Sequence, residues 1–480
     1  MDKTFLLNQS LTLTILIIIC LFFSLLGLYY SKKFQGLNNY LTANRNVGLF
    51  SLTTSLVASA LGAWILFGPA SAATWGGIGA VIGYALGTAF PMIALIFLGK
   101  KIRSEFSKGS SLIEFMRLKF GKSLFKLILL MTIFYMFIFL CAEVTAVAVL
   151  INFISGTKLW VTALIVLLAT LSYTLYGGLR ASIFTDNIQM IVIGIILLIA
   201  FYNIISFSSD EFSLRYIIDK NPQFLSISYI PNYTAGITFF IAVAATNLFH
   251  QGNWQRVYAA KNYQILKKSL IISFFIIVPI VIFMGFTGMV SFSINPSNRP
   301  DLGFFTLLLR EQTELMSFIV IILGLALTIS TVDTLVNAIS SLFVIDGKAT
   351  LALNQKTDYL NLSKYFIIFL SIIAFVIASK GFDILYLFLL ADLFCCAFVL
   401  TVFYSFYNKN INEKTAYVAI MIGLIGGFLM FPSPDFSKSL LVGILMPSEL
   451  FGPFVSQSLL FLSFVVATFL PFFIFKAKKF

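Results

Sequence analysis

One aspartate, Asp186, lies near the start of a long apolar segment. It belongs to the stretch YTLYGGLRASIFTDNIQ from Tyr173 to Gln189. The Gly-Gly pair and the Arg of this stretch predict a short cytoplasmic joint between two membrane helices. A carboxylate at membrane depth costs at least about 2.5 kcal/mol on insertion scales, so it is by default part of a functional site with a cation as its partner. We therefore expect Asp186 to bind or pair with a cation.

A second group of oxygen-bearing side chains follows in the segment LALTISTVDTLVNAISS from Leu325 to Ser341. Ser330, Asp333 and Thr334 stand at i, i+3 and i+4, and Thr331 is three residues before Thr334, so their oxygens gather along one helix flank. Sodium prefers several oxygen ligands, which hydroxyls, a carboxylate and the free carbonyls of a broken helix supply. Serine and threonine also pack helices together. Because a buried Asp333 needs a partner, the pattern favours cation binding.

A third carboxylate, Glu143, lies well inside another apolar segment, in the run FLCAEVTAVAV. It either holds an amine of a substrate or forms a hydrogen bond with a neighbouring helix, and proton uptake is a further role that burial would favour. The sequence leaves these alternatives open. Asp392 lies in a segment without a recognisable cation pattern, so we expect it to matter less than Asp186.

The elements that must position these residues are membrane helices. Hydrophobic residues make up 59% of the 480 residues and charged residues only 11%, and apolar runs of about 20 residues recur along the chain. The sequence predicts an all-α polytopic membrane protein, a single transmembrane domain over 1–480, with about thirteen spans. The predicted spans are 11–30, 49–68, 75–98, 123–153, 159–176, 183–206, 236–255, 270–293, 315–343, 364–379, 383–406, 415–431 and 454–475.

The net charge of +13 indicates membrane orientation. With the N-terminus outside and the C-terminus cytoplasmic, most Lys and Arg residues fall in cytoplasmic loops, including the cluster from Lys100 to Lys126. These residues lie in short loops between helices, so we do not expect nucleic-acid binding. The first apolar run lacks a cleavage motif and is expected to remain as a helix.

Cysteine and histidine usage argues against several other classes of protein. The four cysteines fall inside predicted spans without C-x-x-C spacing, so neither a disulfide framework nor a zinc site is indicated. His250 is the single histidine. Because no plausible nucleophile and base stand together, we do not expect an enzyme.

The order of the spans predicts an inverted repeat, since two sets of five helices enter the membrane from opposite sides. The first repeat covers 49–206 and the second 236–406, with an extra N-terminal helix at 11–30 and two C-terminal helices within 415–475. The leading span of each repeat is interrupted, by Gly62 and Gly68-Pro69 in the first and by Asn247, Gln251, Gly252 and Asn253 in the second. Interrupted helices in matching positions indicate a central binding site.

Several of these stretches resemble the sodium/solute symporter family. The pattern Tyr173-Thr174, Gly177-Gly178-Leu179, Ala181, Thr185-Asp186 and Gln189 is similar to its signature. The segments NYLTANRNVGLFSLTTSLVASALGAW from Asn39, SLIEFMRLKFG from Ser111, WQRVYAAKN from Trp254 and ISTVDT from Ile329 resemble further family patterns in the same order.

The resemblance implies a LeuT-type fold with sodium held between the second and ninth spans. Carried over by position, the sodium ligands are the backbone carbonyls of Ala58, Leu61 and Leu327 and the hydroxyls of Ser330 and Thr331. Some relatives have a second sodium site, which corresponds here to Asp186, Ser330, Asp333 and Thr334.

The resemblance leaves the substrate open. Proline-type members carry an Asp and a Ser where this chain has Ala60 and Gly62, and the pattern around Ala63-Trp64 is somewhat closer to urea-type members without their polar residue before the Trp. The candidate substrate-binding residues are Gly62, Trp64, Tyr84, Glu143, Asn247 and Gln251.

The expected function is sodium-coupled symport, the import of a small polar organic solute by alternating access. The alternatives are a transporter-like membrane solute sensor and a proton-coupled symporter of the same fold; the chain ends five residues after the last predicted span, without a signalling domain. We expect Na⁺ as the coupling ion, a small-molecule substrate, surrounding membrane lipid, no obligate protein partner, and a location in the bacterial inner membrane.

Overall fold

The structure is a computed structural model of the chain. It describes residues 6–33, 36–207, 210–296, 299–311, 313–347, 350, 358–408, 412–439, 441–445 and 453–477. The principal helices are α1 Gln9–Lys33, α2 Leu49–Ala60, α3 Gly68–Glu105, α4 Lys122–Ser155, α5 Leu159–Phe207, α6 Ile230–Phe249, α7 Gln251–Ala259, α8 Tyr263–Ile294, α9 Glu314–Leu342, α10 Tyr359–Ala378, α11 Ile384–Ser405, α12 Glu413–Met430 and α13 Pro453–Ala477. Short helices at Leu37–Thr42, Leu112–Lys119, Leu214–Lys220, Gly303–Leu308 and Val442–Leu445 lie between them.

Eleven helices within the described residues are long and apolar enough to cross a membrane, which makes this an integral membrane protein. The difference from thirteen predicted spans has two sources. Helix α2 has only 12 residues and is the first half of a broken span. Helix α5 has 49 residues, about twice what a bilayer requires, and it covers the two predicted spans 159–176 and 183–206.

Helix α5 is divided into two arms at Gly178. This residue has φ 56° and ψ −151°, a conformation open to glycine but costly for other residues. A side chain there would also lie 2.5 Å from the Tyr40 ring. The division at Gly178 therefore agrees with the predicted joint within YTLYGGLRASIFTDNIQ, although the backbone on either side stays helical.

The first broken span runs further than predicted. After α2, Leu61 and Gly62 are non-helical, and a 3-10 turn at Ala63–Leu66 leads into α3. Within α3, Gly76 and Gly77 leave the helical conformation, so the chain turns there. The sequence predicted that the span ends at Pro69, but Pro69 lies in the first turn of α3 and begins the second half of the span. A proline fits this position because the first turn of a helix does not need its N–H.

The second broken span is formed by α6 and α7. His250 separates them with φ −59° and ψ 108°, which is extended rather than helical backbone. Both leading spans are therefore interrupted as predicted, the first at Leu61 and Gly62 and the second at His250. The carbonyls and N–H groups at such breaks lack helical partners and are free to meet a ligand.

The centre of the bundle is formed by α9 and α11. In α9 every residue from Leu323 to Leu342 is buried. In α10, by contrast, only 28% of the most apolar stretch of 18 residues is buried. Helices α3 and α6 approach closely along small residues: a Cβ on Gly83 would lie 2.0 Å from the Gly236 carbonyl oxygen. Close approach through small residues is how helices associate in lipid, and it places the two broken spans side by side.

Candidate functional site

Asp186 forms a buried ion pair with an arginine. Its Oδ2 accepts a hydrogen bond of 2.9 Å from an Arg256 guanidinium nitrogen and one of 2.6 Å from Ser55 Oγ, and its Oδ1 accepts one of 2.6 Å from Ser330 Oγ. The side chains of Asp186 and Arg256 have no exposed surface. Arg256 also donates to Ser55, Thr334 and the Gly252 carbonyl oxygen. One ion pair thus links α2, α5, α7 and α9.

Arg256 is a site residue that the sequence interpretation missed. The predicted seventh span ends at 255, so Arg256 was placed one residue outside it as a loop cation. Two signals pointed to it: it stands four residues after Gly252 in a helical register, and Asp186 required a cationic partner. The cation beside Asp186 in this conformation is the guanidinium of Arg256.

Asp333 lies in a cage of hydroxyls. Its Oδ2 accepts hydrogen bonds from the Tyr173 hydroxyl at 2.6 Å and from Thr185 Oγ1 at 3.1 Å, and its Oδ1 accepts one from Ser182 Oγ at 2.8 Å. Thr334 Oγ1 adds a longer contact of 3.4 Å. None of the ion pairs found in the described part of the chain includes Asp333. The carboxylate is stabilised by neutral donors, in a cluster of oxygens of the kind that binds hard cations.

The break of α2 faces the hydroxyl flank of α9. A Cβ on Gly62 would lie 2.8 Å from Thr331 Oγ1, and Thr331 Oγ1 donates a hydrogen bond of 3.1 Å to the Leu327 carbonyl oxygen. The last backbone bond of α2 runs from Leu61 N–H to the Val57 carbonyl. The carbonyls that follow, from Ala58 onward, belong to the end of a broken helix. The structure therefore brings the α2 break together with Thr331, which is bonded to the Leu327 carbonyl, whereas the Ser330 hydroxyl bonds Asp186.

Glu143 of α4 reaches the same break, and its Oε1 and Thr331 Oγ1 both lie where a Cβ on Gly62 would stand. Its Oε2 accepts a 2.9 Å hydrogen bond from the Ala63 N–H, at the start of the 3-10 turn. A carboxylate is favourable at the N-terminus of a helical turn, where N–H groups are unpaired. Its Oε1 is buried and has no hydrogen-bond partner among the described residues. Glu143 therefore stabilises a neighbouring helix and still has one carboxylate oxygen to offer.

Gly62 leaves no room for a side chain, so we expect Gly62→Ala to reduce solute uptake by about tenfold or more. A Cβ would lie 2.3 Å from Glu143 Oε1 and 2.8 Å from Thr331 Oγ1, and overpacking of this kind typically costs about 1–3 kcal/mol. The backbone itself tolerates alanine, since φ is −81°. The matched control is Gly194→Ala in α5, where a Cβ meets nothing within 4 Å. Equal uptake by the two variants, measured per folded transporter, would contradict the prediction.

A narrow cavity lies between the two broken spans. It has room for about one water molecule in this conformation, and its lining includes Trp64, Tyr84, Asn247 and Asp392. Asp392 is only 4% exposed and accepts a 2.5 Å hydrogen bond from Thr246 Oγ1. The structure thus places at the centre a carboxylate that the sequence pattern ranked below Asp186.

Gln251 lies elsewhere. Its amide nitrogen donates to the Ser110 carbonyl oxygen at 3.1 Å and to Ser341 Oγ at 3.4 Å, and it does not line the cavity. Its role in substrate binding stays a prediction.

Backbone hydrogen bonds join the start of the first broken span to the end of the second. The Val47 N–H donates to the Ala259 carbonyl and the Lys261 N–H donates to the Val47 carbonyl, each at 3.0 Å. Arg103 of α3 donates to the Val257 and Ala260 carbonyls. The segment before α2 and the segment after α7 are therefore joined in this conformation.

Two broken helices that lie side by side next to buried carboxylates and a central cavity are typical of a secondary transporter. The match to the family described as "Sodium:solute symporter family" covers residues 40–423, so the chain belongs to that family. It is a sodium-coupled solute transporter and not an enzyme.

Relatives of known name agree with this assignment. The chain is 26% identical to "Spermidine transporter DUR31" of Candida albicans over 78% of this chain and 71% of the relative. It is 23% identical to "Sodium/glucose cotransporter 4" of Mus musculus over 81% of this chain, but it spans only 64% of that protein's length. A solved structure of a Na⁺-coupled sialic acid symporter, outward-open and substrate-bound, matches with a TM-score of 0.72 at 20% identity, covering 95% of this chain and 96% of that one. The LeuT-type fold is thereby confirmed.

Proposed function

We propose that the chain imports a small polar organic solute together with Na⁺ by alternating access, with the ion bound where the break of α2 faces α9. The observation that carries this proposal is the position of Thr331 Oγ1 against Gly62, beside the non-helical Leu61. The proposed ligands are the carbonyls of Ala58, Leu61 and Leu327 and the hydroxyls of Ser330 and Thr331. Carbonyls at a helix break and nearby hydroxyls together make the oxygen-rich environment that sodium prefers.

We propose a second cation position at the Asp333 cage. Asp186 is already neutralised by Arg256, which also donates to Thr334, whereas the hydrogen bonds of Asp333 come from hydroxyls and it forms no ion pair within the described residues. Of the four side chains Asp186, Ser330, Asp333 and Thr334, Asp333 therefore has the strongest requirement for a mobile cation. A proton at Asp333 is the competing proposal, and it corresponds to a proton-coupled symporter of the same fold.

Alternating access is supported by the backbone bonds between the segment before α2 and the segment after α7. The bonds that join Val47 to Ala259 and Lys261 connect the two broken spans and must separate for the solute to leave on that side. We assign this side to the cytoplasm from the positions of the Lys and Arg residues, with the N-terminus outside. The repeats are proposed as 49–206 and 236–406, with an extra helix at 11–30 and the last two helices within 415–475. The bacterial inner membrane remains a prediction, since the relatives named above come from a fungus and a mouse.

The substrate-binding residues are proposed around the central cavity and are Gly62, Trp64, Tyr84, Glu143 and Asn247. The names of the relatives indicate two different substrates, spermidine for the fungal protein and glucose for the mouse protein. Whether the substrate of this chain is charged or neutral must therefore be inferred from the residues around its own cavity.

The coupling ion is tested by radiotracer uptake into proteoliposomes that contain the full chain. The panel covers amino acids, urea, sugars, carboxylates and amines, each measured with an inward sodium gradient, with an inward proton gradient, and with neither. We expect concentrative uptake of one class only under the sodium gradient. Uptake driven by the proton gradient alone would replace sodium with a proton, and solute binding without uptake under any gradient would favour a sensor.

A further inference from the structure

The central cavity has acidic and aromatic walls. Trp64 and Tyr84 stack with ring centroids 5.4 Å apart, and the edge of Phe388 meets Trp64 at 6.5 Å. Phe139 meets Phe388 at 4.6 Å. Asp392 is the acidic lining residue, and no lysine or arginine is found among the described residues that line the cavity. Aromatic faces with a carboxylate form an environment that attracts organic cations.

Asp392 in the cavity wall and Glu143 at the neighbouring α2 break have no cationic partner within the described residues. Neither Asp392 nor Glu143 belongs to any of the ion pairs found there. Asp392 accepts one hydrogen bond from Thr246, and Glu143 accepts one from the Ala63 N–H while its Oε1 has no partner among the described residues. Glu143 is bonded to the residue that precedes Trp64, and Trp64 lines the cavity. A buried carboxylate without a partner is costly, and an incoming cation lowers that cost.

The surroundings of Asp392 differ from those of the proposed sodium positions. Thr331, Ser330 and the α2 carbonyls offer a cluster of oxygens, whereas the cavity that Asp392 lines combines four aromatic rings with the polar side chains of Ser59, Asn247 and His250. A small, strongly hydrated ion gains little from ring faces, but an alkylammonium gains from the rings, the carboxylate and apolar contact with its carbon chain. A neutral sugar uses ring stacking without requiring two acidic groups.

We propose that the substrate of this transporter is an aliphatic amine, with one ammonium group bound by Asp392 and its carbon chain between Trp64, Tyr84 and Phe388. In a diamine, the second ammonium group binds the free Oε1 of Glu143. This inference names the substrate class of the proposed solute site and therefore rests on the proposed function. The cavity must widen to admit the substrate, as alternating access requires.

The test is direct binding of tritiated 1,4-diaminobutane to the purified full chain, with glucose and proline as unlabelled competitors. We expect unlabelled 1,4-diaminobutane to displace the label, and glucose and proline to leave it bound. Asp392→Asn should weaken binding by about 30-fold or more, because a desolvated charge partner is lost. Asp392→Glu should retain most of the affinity, since it keeps the charge. Displacement by glucose or proline in place of the amine, or unchanged affinity in Asp392→Asn, would overturn the proposal.

A second variant addresses the possibility that Asp392→Asn fails to fold. Glu143→Gln keeps an oxygen that accepts the Ala63 N–H bond but loses the charge, so it should weaken 1,4-diaminobutane binding more than binding of the monoamine butylamine. Equal loss for the two amines would remove Glu143 from the site. The matched control is Asp219→Asn, which makes the same change from carboxylate to carboxamide at an exposed position in the short helix Leu214–Lys220. It should change the affinity for neither amine.

Sodium is measured separately as the shift that it produces in thermal unfolding. A sodium-induced shift without amine binding would overturn the amine proposal and leave sodium coupling in place. Amine binding without any sodium response would support the amine site and count against the proposed sodium coupling.

Discussion

Arg256→Met is expected to destabilise the protein by about 3–5 kcal/mol and to abolish uptake, because it leaves the Asp186 carboxylate buried without its cation. Methionine keeps the unbranched shape of the side chain but none of its hydrogen-bond donors. Arg256 contacts Asp186, Ser55, Thr334 and the Gly252 carbonyl, so four elements lose a common partner. The measurement is chemical or thermal unfolding in detergent together with uptake in proteoliposomes.

The double variant separates pairing from other effects. Asp186→Asn alone should also abolish or uncouple transport, since it leaves Arg256 unpaired, whereas Asp186→Asn combined with Arg256→Met removes both charges and should recover much of the stability. The control is Arg310→Met, which breaks the ion pair of Arg310 with Glu211, where the side chains are 48% and 24% exposed. Exposed pairs contribute at most about 1 kcal/mol. Additive losses in the double variant would show that the two residues are not energetically coupled.

Ser330→Ala and Thr331→Ala should each raise the sodium concentration required for half-maximal uptake by about tenfold or more. Each substitution removes one of about five proposed oxygen ligands, and a hard cation depends on the number of such ligands. Protein abundance should change little for Thr331→Ala, whose hydroxyl donates only to the Leu327 carbonyl of its own helix. Ser330→Ala also removes the hydrogen bond to Asp186, so Thr331→Ala is the cleaner of the two tests.

Two controls accompany the sodium measurement. Thr331→Ser keeps the hydroxyl and should retain wild-type sodium dependence. Thr328→Ala removes a buried hydroxyl from the same helix, one with no hydrogen-bond partner among the described residues, and it should leave sodium dependence unchanged. If Thr331→Ala and Thr328→Ala have the same sodium dependence as the wild-type protein, the proposed sodium position is wrong.

The sequence was a good guide to the helices because burial in lipid leaves a local signal. A span must supply about 20 apolar residues in succession, and breaks require glycine, proline or polar residues at fixed positions. The interruptions near Gly62 and between Asn247 and Asn253 were therefore visible in the sequence. The extent of each half was not visible: whether Pro69 ends a span or begins the next helical segment depends on the direction of the chain after the break, and tertiary packing decides that.

For the carboxylates, too, one part was predictable from the sequence and another part was not. Their cost in a membrane identified Asp186, Asp333 and Glu143 from the sequence alone, but their partners come from distant parts of the chain. Arg256 is 70 residues from Asp186, and Glu143 is 80 residues from the Ala63 N–H. Charge and burial are properties of a residue and its near neighbours, so the sequence determined which groups need a partner. Only the tertiary structure, by placing the two broken spans side by side, decided that Arg256 neutralises Asp186 and that Asp392 faces the central cavity.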